Sequence, residues 1–374
     1  MKVQDAVQEG GERLSDHPRL AYVGFLANDR DIQGMLLVGW TLRVKFKSRY
    51  PIIVICLEDV SSRCCRLLTY EGMQVVKCNW KDLLHQAGIG EGLEKLMGGE
   101  WPVEILAKGV VLNLGIGLST TKECQFERCL YLDSDLLIRE SLDRLLETGE
   151  GSGEGHDLEM VPDYFLGLVS PDKQHHQIII NRNGNINSGV IRYRPGNELF
   201  REYLRQLLRL GGVGGQGVGG GVSGEGVSEG VSGKGVSEGV SGKGVSEGVS
   251  EGVINNDQDV FNLMIREKKC RFRYLSLDYN VYSHLSDQMK TTGIITREII
   301  THYIGTPKPW QWLEGMEIVL SLDTECKRER YLRWIKEWTQ YLESRRVERA
   351  KYLLGDKPYI LDRNGGLSLF KESS

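Results

Sequence analysis

Cys129-Leu130-Tyr131-Leu132-Asp133-Ser134-Asp135-Leu136-Leu137-Ile138 is an apolar run that delivers two carboxylates one residue apart and then resumes as apolar chain. Burying an unpaired carboxylate is costly, so a pair set into a core strand calls for a cation or for proton chemistry. Hard oxygen ligands at this spacing suit Mn²⁺ or Mg²⁺ shared with a substrate phosphate. Alone, an Asp-x-Asp is a weak signal. Its meaning comes from the segments around it.

Those segments alternate. Ala21–Ala27 (AYVGFLA), Pro51–Leu57 (PIIVICL) and Met73–Cys78 read as strands, with Ile32–Phe46 as an amphipathic helix and Ser61–Tyr70 as a helix between them. Strands alternating with helices imply βαβ units, hence an α/β fold with a largely parallel sheet covered on both faces. Ligands of such sheets gather at the carboxyl ends of the strands. Asn28-Asp29 and Asp133/Asp135 both fall there, which already makes that edge a site hypothesis.

The bulk properties narrow the class. A chain of 374 residues with 40% apolar residues has ample material for a core, and its net charge of −4 offers no basic face for nucleic acid. No run approaches the ~20 apolar residues that span a bilayer. Residues 1–18 are polar and lack an apolar signal core, so no secretory signal is expected. The eight cysteines form no Cys-x-x-Cys, and several sit in apolar runs. Reduced structural thiols in a cytoplasmic protein are the expectation.

After Asn197–Leu210, which reads as an amphipathic helix, the composition changes abruptly. Residues 211–252 are nearly all Gly, Val, Ser, Glu and Lys, with a nine-residue period, GVSGKGVSE, from Gly221. Such a tract offers too little apolar surface to offset its ordering entropy. Calcium-binding nonapeptide repeats carry an Asp that this one lacks. The expectation is a disordered loop inserted in one domain over 19–354, because a long loop costs little more to close than a short one. Residues 1–18 and 355–374 read as terminal tails. About Glu325–Leu354 reads as a long helix of mixed charge that packs on the core rather than on a membrane.

Further candidates follow the loop. His302 precedes Lys308 by six residues in a Gly/Pro-punctuated turn, where an ammonium can meet phosphate oxygens. Asn187-Ser188-Gly189 opens an apolar run, and the glycine suits close backbone approach. Asp257-Gln258 starts a helical pattern, where an aspartate also serves as a cap.

Taken together, five ordered blocks, AYVGFLANDRDIQGMLLVG, RCLYLDSDLLI, NSGVIRYRP, DQDVFN and HYIGTPKPW, resemble glycosyltransferase family 8, the glycogenin-like retaining transferases of GT-A fold. The resemblance runs from about Ala21 to Trp310, excluding the Gly-rich tract. It implies a Rossmann-like sheet flanked by helices, and Mn²⁺ (with Mg²⁺ as the alternative) held by Asp133, Asp135 and His302. It implies a UDP-sugar donor contacted by Phe25, Ala27, Asn28, Ser134, Gly305 and Lys308. Asn187, Ser188 and Gln258 match positions that line the sugar, and Asp257 becomes the candidate for polarising acceptor or sugar. Lys108 matches the family's sugar-side lysine once the long VVLNLGIGLSTTKEC segment before Asp133 is allowed for. The uracil-contacting tyrosine falls on Asp31, and an aspartate that often precedes the Asp-Gln pair falls on Ile254. Tyr279 and Tyr282 lie near the self-glucosylated tyrosine of glycogenins without matching its position. The partners implied are the nucleotide-sugar donor and an acceptor, whether a polyol (as in galactinol synthases), a glycan or a protein. A homodimer is compatible with this reading.

Two other classes compete. A haloacid-dehalogenase-type phosphatase also places Asp-x-Asp after a strand, but it expects Thr or Val where Leu137 stands and leaves HYIGTPKPW unexplained. A non-catalytic module would bind UDP or a partner without turnover, and would have no need of the complete metal triad.

Overall fold

The computed structural model describes residues 19–79, 108–109, 111–112, 126–148, 155–170, 175–210, 257–305, 308–312, 325–345, 359–361 and 367–369. The Gly-rich tract, residues 1–18 and Ile254 lie outside them. Strand β1 (Leu20–Leu26) leads into helix α1 (Ile32–Trp40), followed by β2 (Ile52–Leu57), α2 (Ser62–Tyr70) and β3 (Gln74–Cys78). Next come β4 (Arg128–Leu132), β5 (Leu136–Ile138), α3 (Asp143–Thr148) and two long strands, β6 (Leu158–Ser170) and β7 (His175–Tyr193). Then follow α4 (Asn197–Leu210), α5 (Asp257–Arg266), β8 (Phe272–Tyr274), β9 (Val281–Tyr282), α6 (Ser286–Thr291), β10 (Ile300–His302) and α7 (Glu325–Ser344).

Among the described residues seven strands form one sheet, in the order β3-β2-β1-β4-β7-β6-β8. The first four run parallel, β7 returns antiparallel to β4, and β8 pairs parallel with β6. Strand β8 lies beyond the Gly-rich tract, so residues on both sides of that tract share the sheet.

Period-two alternation sorts the strand residues into two cores, because successive side chains point to opposite faces. Leu20, Tyr22, Ile52, Val54, Leu130 and Leu132 enter one core. Ala21, Val23, Ile53, Ile55, Cys129 and Tyr131 enter the other. Both faces are therefore dry, as the continuous apolar runs require. The fold is a mixed α/β sandwich of helices on a parallel-rich sheet.

A second sheet, β5-β10-β9, caps one side. Antiparallel pairing of β10 with β5 sets His302 opposite Leu136, immediately after Asp135. Among the described residues no disulfide joins Cys56, Cys64, Cys65, Cys78, Cys129 or Cys270.

Three expectations change. The helix expected over Ile32–Phe46 is α-helical through Trp40 and then widens to a π-helical turn at Thr41–Lys45. It is not amphipathic: Gly34–Trp40 are all buried, because α7 covers its outer side with Trp334, Trp338 and Tyr341. The Trp40 and Tyr341 rings meet at 6.0 Å. The long C-terminal helix thus packs on the core, as its mixed charge suggests, and is described to Ser344. Finally, the stretch read as a C-terminal tail carries an antiparallel pair, β11 (Tyr359–Leu361) with β12 (Leu367–Leu369).

Candidate active site

Strands β1 and β4 run parallel with Val23 opposite Tyr131, so both carboxyl ends open on the same edge. At the end of β1, Asn28 caps a 3-10 turn, its side chain accepting from the Arg30 amide at 2.9 Å. Phe25, Ala27 and Asn28 are half-buried at this edge. At the end of β4 the chain turns through Asp133-Ser134-Asp135 before entering β5. Gly34 of α1 is packed on that turn: a Cβ built there would stand 2.2 Å from the Ser134 carbonyl oxygen and 2.7 Å from the Trp310 ring. A side chain at position 34 would push the turn out of place.

The two carboxylates lean on different cores. Asp133 follows Tyr131 on the β7–α5 side. It accepts from the Tyr131 hydroxyl at 2.5 Å and from the Lys108 ammonium at 3.2 Å. Lys108 also pairs with Asp257, at the start of α5, at 3.0 Å, and donates to the Ser188 hydroxyl at 2.9 Å and carbonyl at 3.1 Å. Burial alone would lower the Lys108 pKa, but Asp133 and Asp257 outweigh it and raise the value above the ordinary lysine range. This lysine is a permanent cation. Burial, and then Asp133, push the Tyr131 phenol well up, so it stays a neutral donor.

Asp135 belongs to the other side. Its Oδ1 lies 3.1 Å from His302 Nε2 and its Oδ2 is 2.5 Å from Lys308 Nζ. Burial would raise this carboxyl, yet His302 and then Lys308 prevail and hold it below the usual carboxylate range. It is an anion at any physiological pH. Lys308 follows Gly305, whose φ of +84° suits glycine and turns the chain back toward Asp135. Trp310 then anchors that loop on Trp334 of α7, ring centroids 5.9 Å apart.

Asp133, Asp135 and His302 each offer a ligand atom, all within 4.8 Å of one another. Two carboxylates and an imidazole are a donor set that fits Mn²⁺ or Mg²⁺. The structure thus joins Asp133, Asp135, His302, Lys308, Lys108, Asp257, Asn187 and Ser188 into one connected cluster. Gln258 sits beside Asp257 in the first turn of α5. Asp257 and Gln258 are themselves helical, so neither is the N-cap. Phe25, Ala27, Asn28 and Gly305 lie at the strand and loop ends bordering the cluster, without a direct bond into it.

Sequence reasoning passed over Tyr131, which looked like one more apolar strand residue, and Asn280, Asp163 and Tyr164, which no motif marks; Tyr282 entered it only as a neighbour of the glycogenin tyrosine. Tyr282 is buried, and its hydroxyl donates to Asp163 at 2.5 Å and accepts from Asn187 at 2.9 Å. A hydroxyl so engaged is not an exposed glycosyl acceptor.

Several solved structures are similar to this one. The galactosyltransferase LgtC, solved with donor and acceptor sugar analogs, matches with a TM-score of 0.50 at 15% identity over 89% of this chain and 100% of that one. The glycosyltransferase GlyE of Streptococcus pneumoniae TIGR4 matches with 0.44 at 15% identity, covering 88% and 63%. Mouse xyloside xylosyltransferase 1 matches with 0.43 at 13% identity, covering 78% and 99%. No protein-family model and no curated protein matches the sequence. What the likeness to LgtC shows is the fold, that of GT-A glycosyltransferases.

Proposed function

We propose that the protein is a divalent-metal-dependent glycosyltransferase of the family 8 type, moving a hexose from a UDP-sugar to an acceptor hydroxyl with retention of configuration. The observation that carries this reading is the Asp133–Asp135–His302 cluster, with Lys308 on the free oxygen of Asp135, at the carboxyl edge of a GT-A sheet. Asp133, Asp135 and His302 would hold the ion, Mn²⁺ by preference. Bound there, it would act as a Lewis acid toward the diphosphate of the donor.

The chain's own residues supply the rest. Departure of UDP would place charge on the β-phosphate, and the Lys308 ammonium, 2.5 Å from Asp135, would share itself with the phosphate oxygen that gains that charge. Phe25, Ala27 and Asn28 border the space for the uridine, with Ser134 and Gly305 flanking the diphosphate. Ser188 and Gln258 face the sugar side, with Asp257 as the group that polarises the acceptor or the sugar. Lys108 stands between Asp257 and Asp133 and offsets the charge of both. Among the described residues no helix is long and apolar enough to cross a membrane.

The test is a panel of UDP-sugars with Mn²⁺, read as UDP release, with intact mass in the same samples to detect self-glycosylation. Asp133→Ala and Asp135→Ala should each abolish Mn²⁺-dependent UDP release while the far-ultraviolet dichroism of the fold persists. Full activity in both variants would sink the proposal.

A further inference from the structure

Behind His302 lies a buried chain of amides whose hydrogen-bond direction is fixed by one backbone group. The Gly189 N–H can only donate, and it donates to the side-chain oxygen of Asn187 at 2.9 Å. That identifies the Asn187 atom as Oδ1. The same oxygen meets the Asn280 side chain at 2.5 Å, so the Asn280 atom facing it is the donor, Nδ2. The other end of Asn280 is therefore Oδ1, an acceptor, and it lies 2.8 Å from His302 Nδ1. The far side of the chain agrees: Asn187 Nδ2 donates to the Tyr282 hydroxyl, which donates to Asp163. Tyr164 locks Asn280 from behind by donating to its carbonyl at 2.9 Å. Asn187, Asn280 and His302 are all at most 5% exposed, so the chain is shielded from bulk solvent.

We infer that Asn187 and Asn280 are positioning residues that keep a proton of His302 on Nδ1 and so reserve Nε2, the nitrogen facing Asp135, for a metal ion. Nε2 stands 3.1 Å from Asp135 Oδ1, where a bound ion would take the place of an Nε2 proton. Both lone pairs of the Asn187 oxygen are occupied, by the Gly189 amide and the Asn280 side chain, so that oxygen serves the chain behind His302. Outer-shell partners of this kind change metal affinity about 10–100-fold when removed. The inference rests on the metal-site reading above, but its first test does not need a metal.

Long-range ¹H–¹⁵N correlation spectra of the metal-free protein should show His302 protonated at Nδ1. A ring bare at Nδ1 and protonated at Nε2 would overturn the inference. Mn²⁺ binding, followed by the electron paramagnetic resonance of the free ion with no donor present, should weaken at least tenfold in Asn280→Leu and in Asn187→Leu. Asn187→Asp keeps the accepting oxygen and should bind no more weakly than the native protein. Native Mn²⁺ affinity in folded Asn280→Leu or Asn187→Leu would overturn the inference, because a sugar contact alone would leave donor-free metal binding unchanged. If neither leucine variant folds, the protonation of Nδ1 in the native protein decides. A native protein that carries the Nδ1 proton yet binds no Mn²⁺ would support the relay and defeat the metal-dependent function instead.

Discussion

Gly189→Ala places one methyl group where the structure has no room for it. The new Cβ would lie 2.5 Å from His302 Cε1 and 2.8 Å from Nδ1, so the ring would have to retreat by about 0.9 Å to reach ordinary contact at 3.4 Å. It has nowhere to go. His302 is 4% exposed, Nδ1 is tied to Asn280 and Nε2 faces Asp135. If the backbone yields instead, it carries the Gly189 carbonyl, which accepts from the Asp133 amide at 3.0 Å. Either route displaces a member of the triad, and metal sites tolerate displacements of only about 0.2 Å. Mn²⁺ affinity should therefore fall at least about tenfold, toward a hundredfold. Overpacking costs about 1–3 kcal/mol, which a folded domain survives. Titration of Mn²⁺, with urea unfolding of the same variant, measures both quantities. A variant of native stability and native Mn²⁺ affinity would refute the claim that this close approach sets the geometry of the site.

Other perturbations test other parts of the molecule. Lys308→Met should reduce kcat for UDP release on the order of a hundredfold, as expected for loss of one charge-stabilising donor; near-native kcat would reduce Lys308 to a counter-ion of Asp135. Trp334→Ala removes a fully buried ring stacked on Trp338 and tilted against Trp310. It should cost about 3–5 kcal/mol in chemical denaturation and weaken UDP binding by loosening the Lys308 loop, whereas a stability loss under 1 kcal/mol would show that α7 does not clamp that loop. Glu298, just before β10, is a pH probe that is not itself one of the metal ligands. Burial pushes its carboxyl up, but hydrogen bonds from Lys290 and Thr301 and the charge of Arg139 bring it down from 4.5 to about 2. A depressed folded value stabilises the protein above the unfolded value, and that contribution fades as the pH falls from about 4.5 toward 2. Glu298→Gln should therefore lose on the order of 3 kcal/mol at neutral pH and show a flatter acid limb over that window; parallel acid limbs for native and variant protein would contradict it.

Local signals carried much of the architecture. The apolar runs of β1, β2 and β4 are dry on both faces, and their period-two alternation divides them between two cores. Helix α4 spans Asn197–Leu210, as its amphipathic pattern indicates. Helix α1 misled because its outer face is as apolar as its inner one, and α7, some three hundred residues away in the chain, covers it. Asp133 and Asp135 stood out because carboxylates interrupting such a strand are costly. Tyr131 did not, because a phenol at a core position looks the same in sequence whether or not its hydroxyl serves a carboxylate.

The sequence by itself determined the alternation of strands and helices, the edge where ligands gather and the chemical kinds of groups placed there. Those properties depend on near neighbours, through the pleat of a strand and the turn of a helix. The tertiary structure decided that Asp133 and Asp135, one residue apart, answer to opposite cores: Asp133 to Lys108 and Tyr131, Asp135 to His302 and Lys308. It also decided that Gly189, Asn187 and Asn280 stand behind His302 in a chain of fixed polarity. Three of these contacts, Asp135 with His302 and with Lys308 and Asn187 with Asn280, join residues 93 to 173 positions apart. Local pattern says nothing about such pairs; they exist because β10 pairs with β5 and β7 with β4.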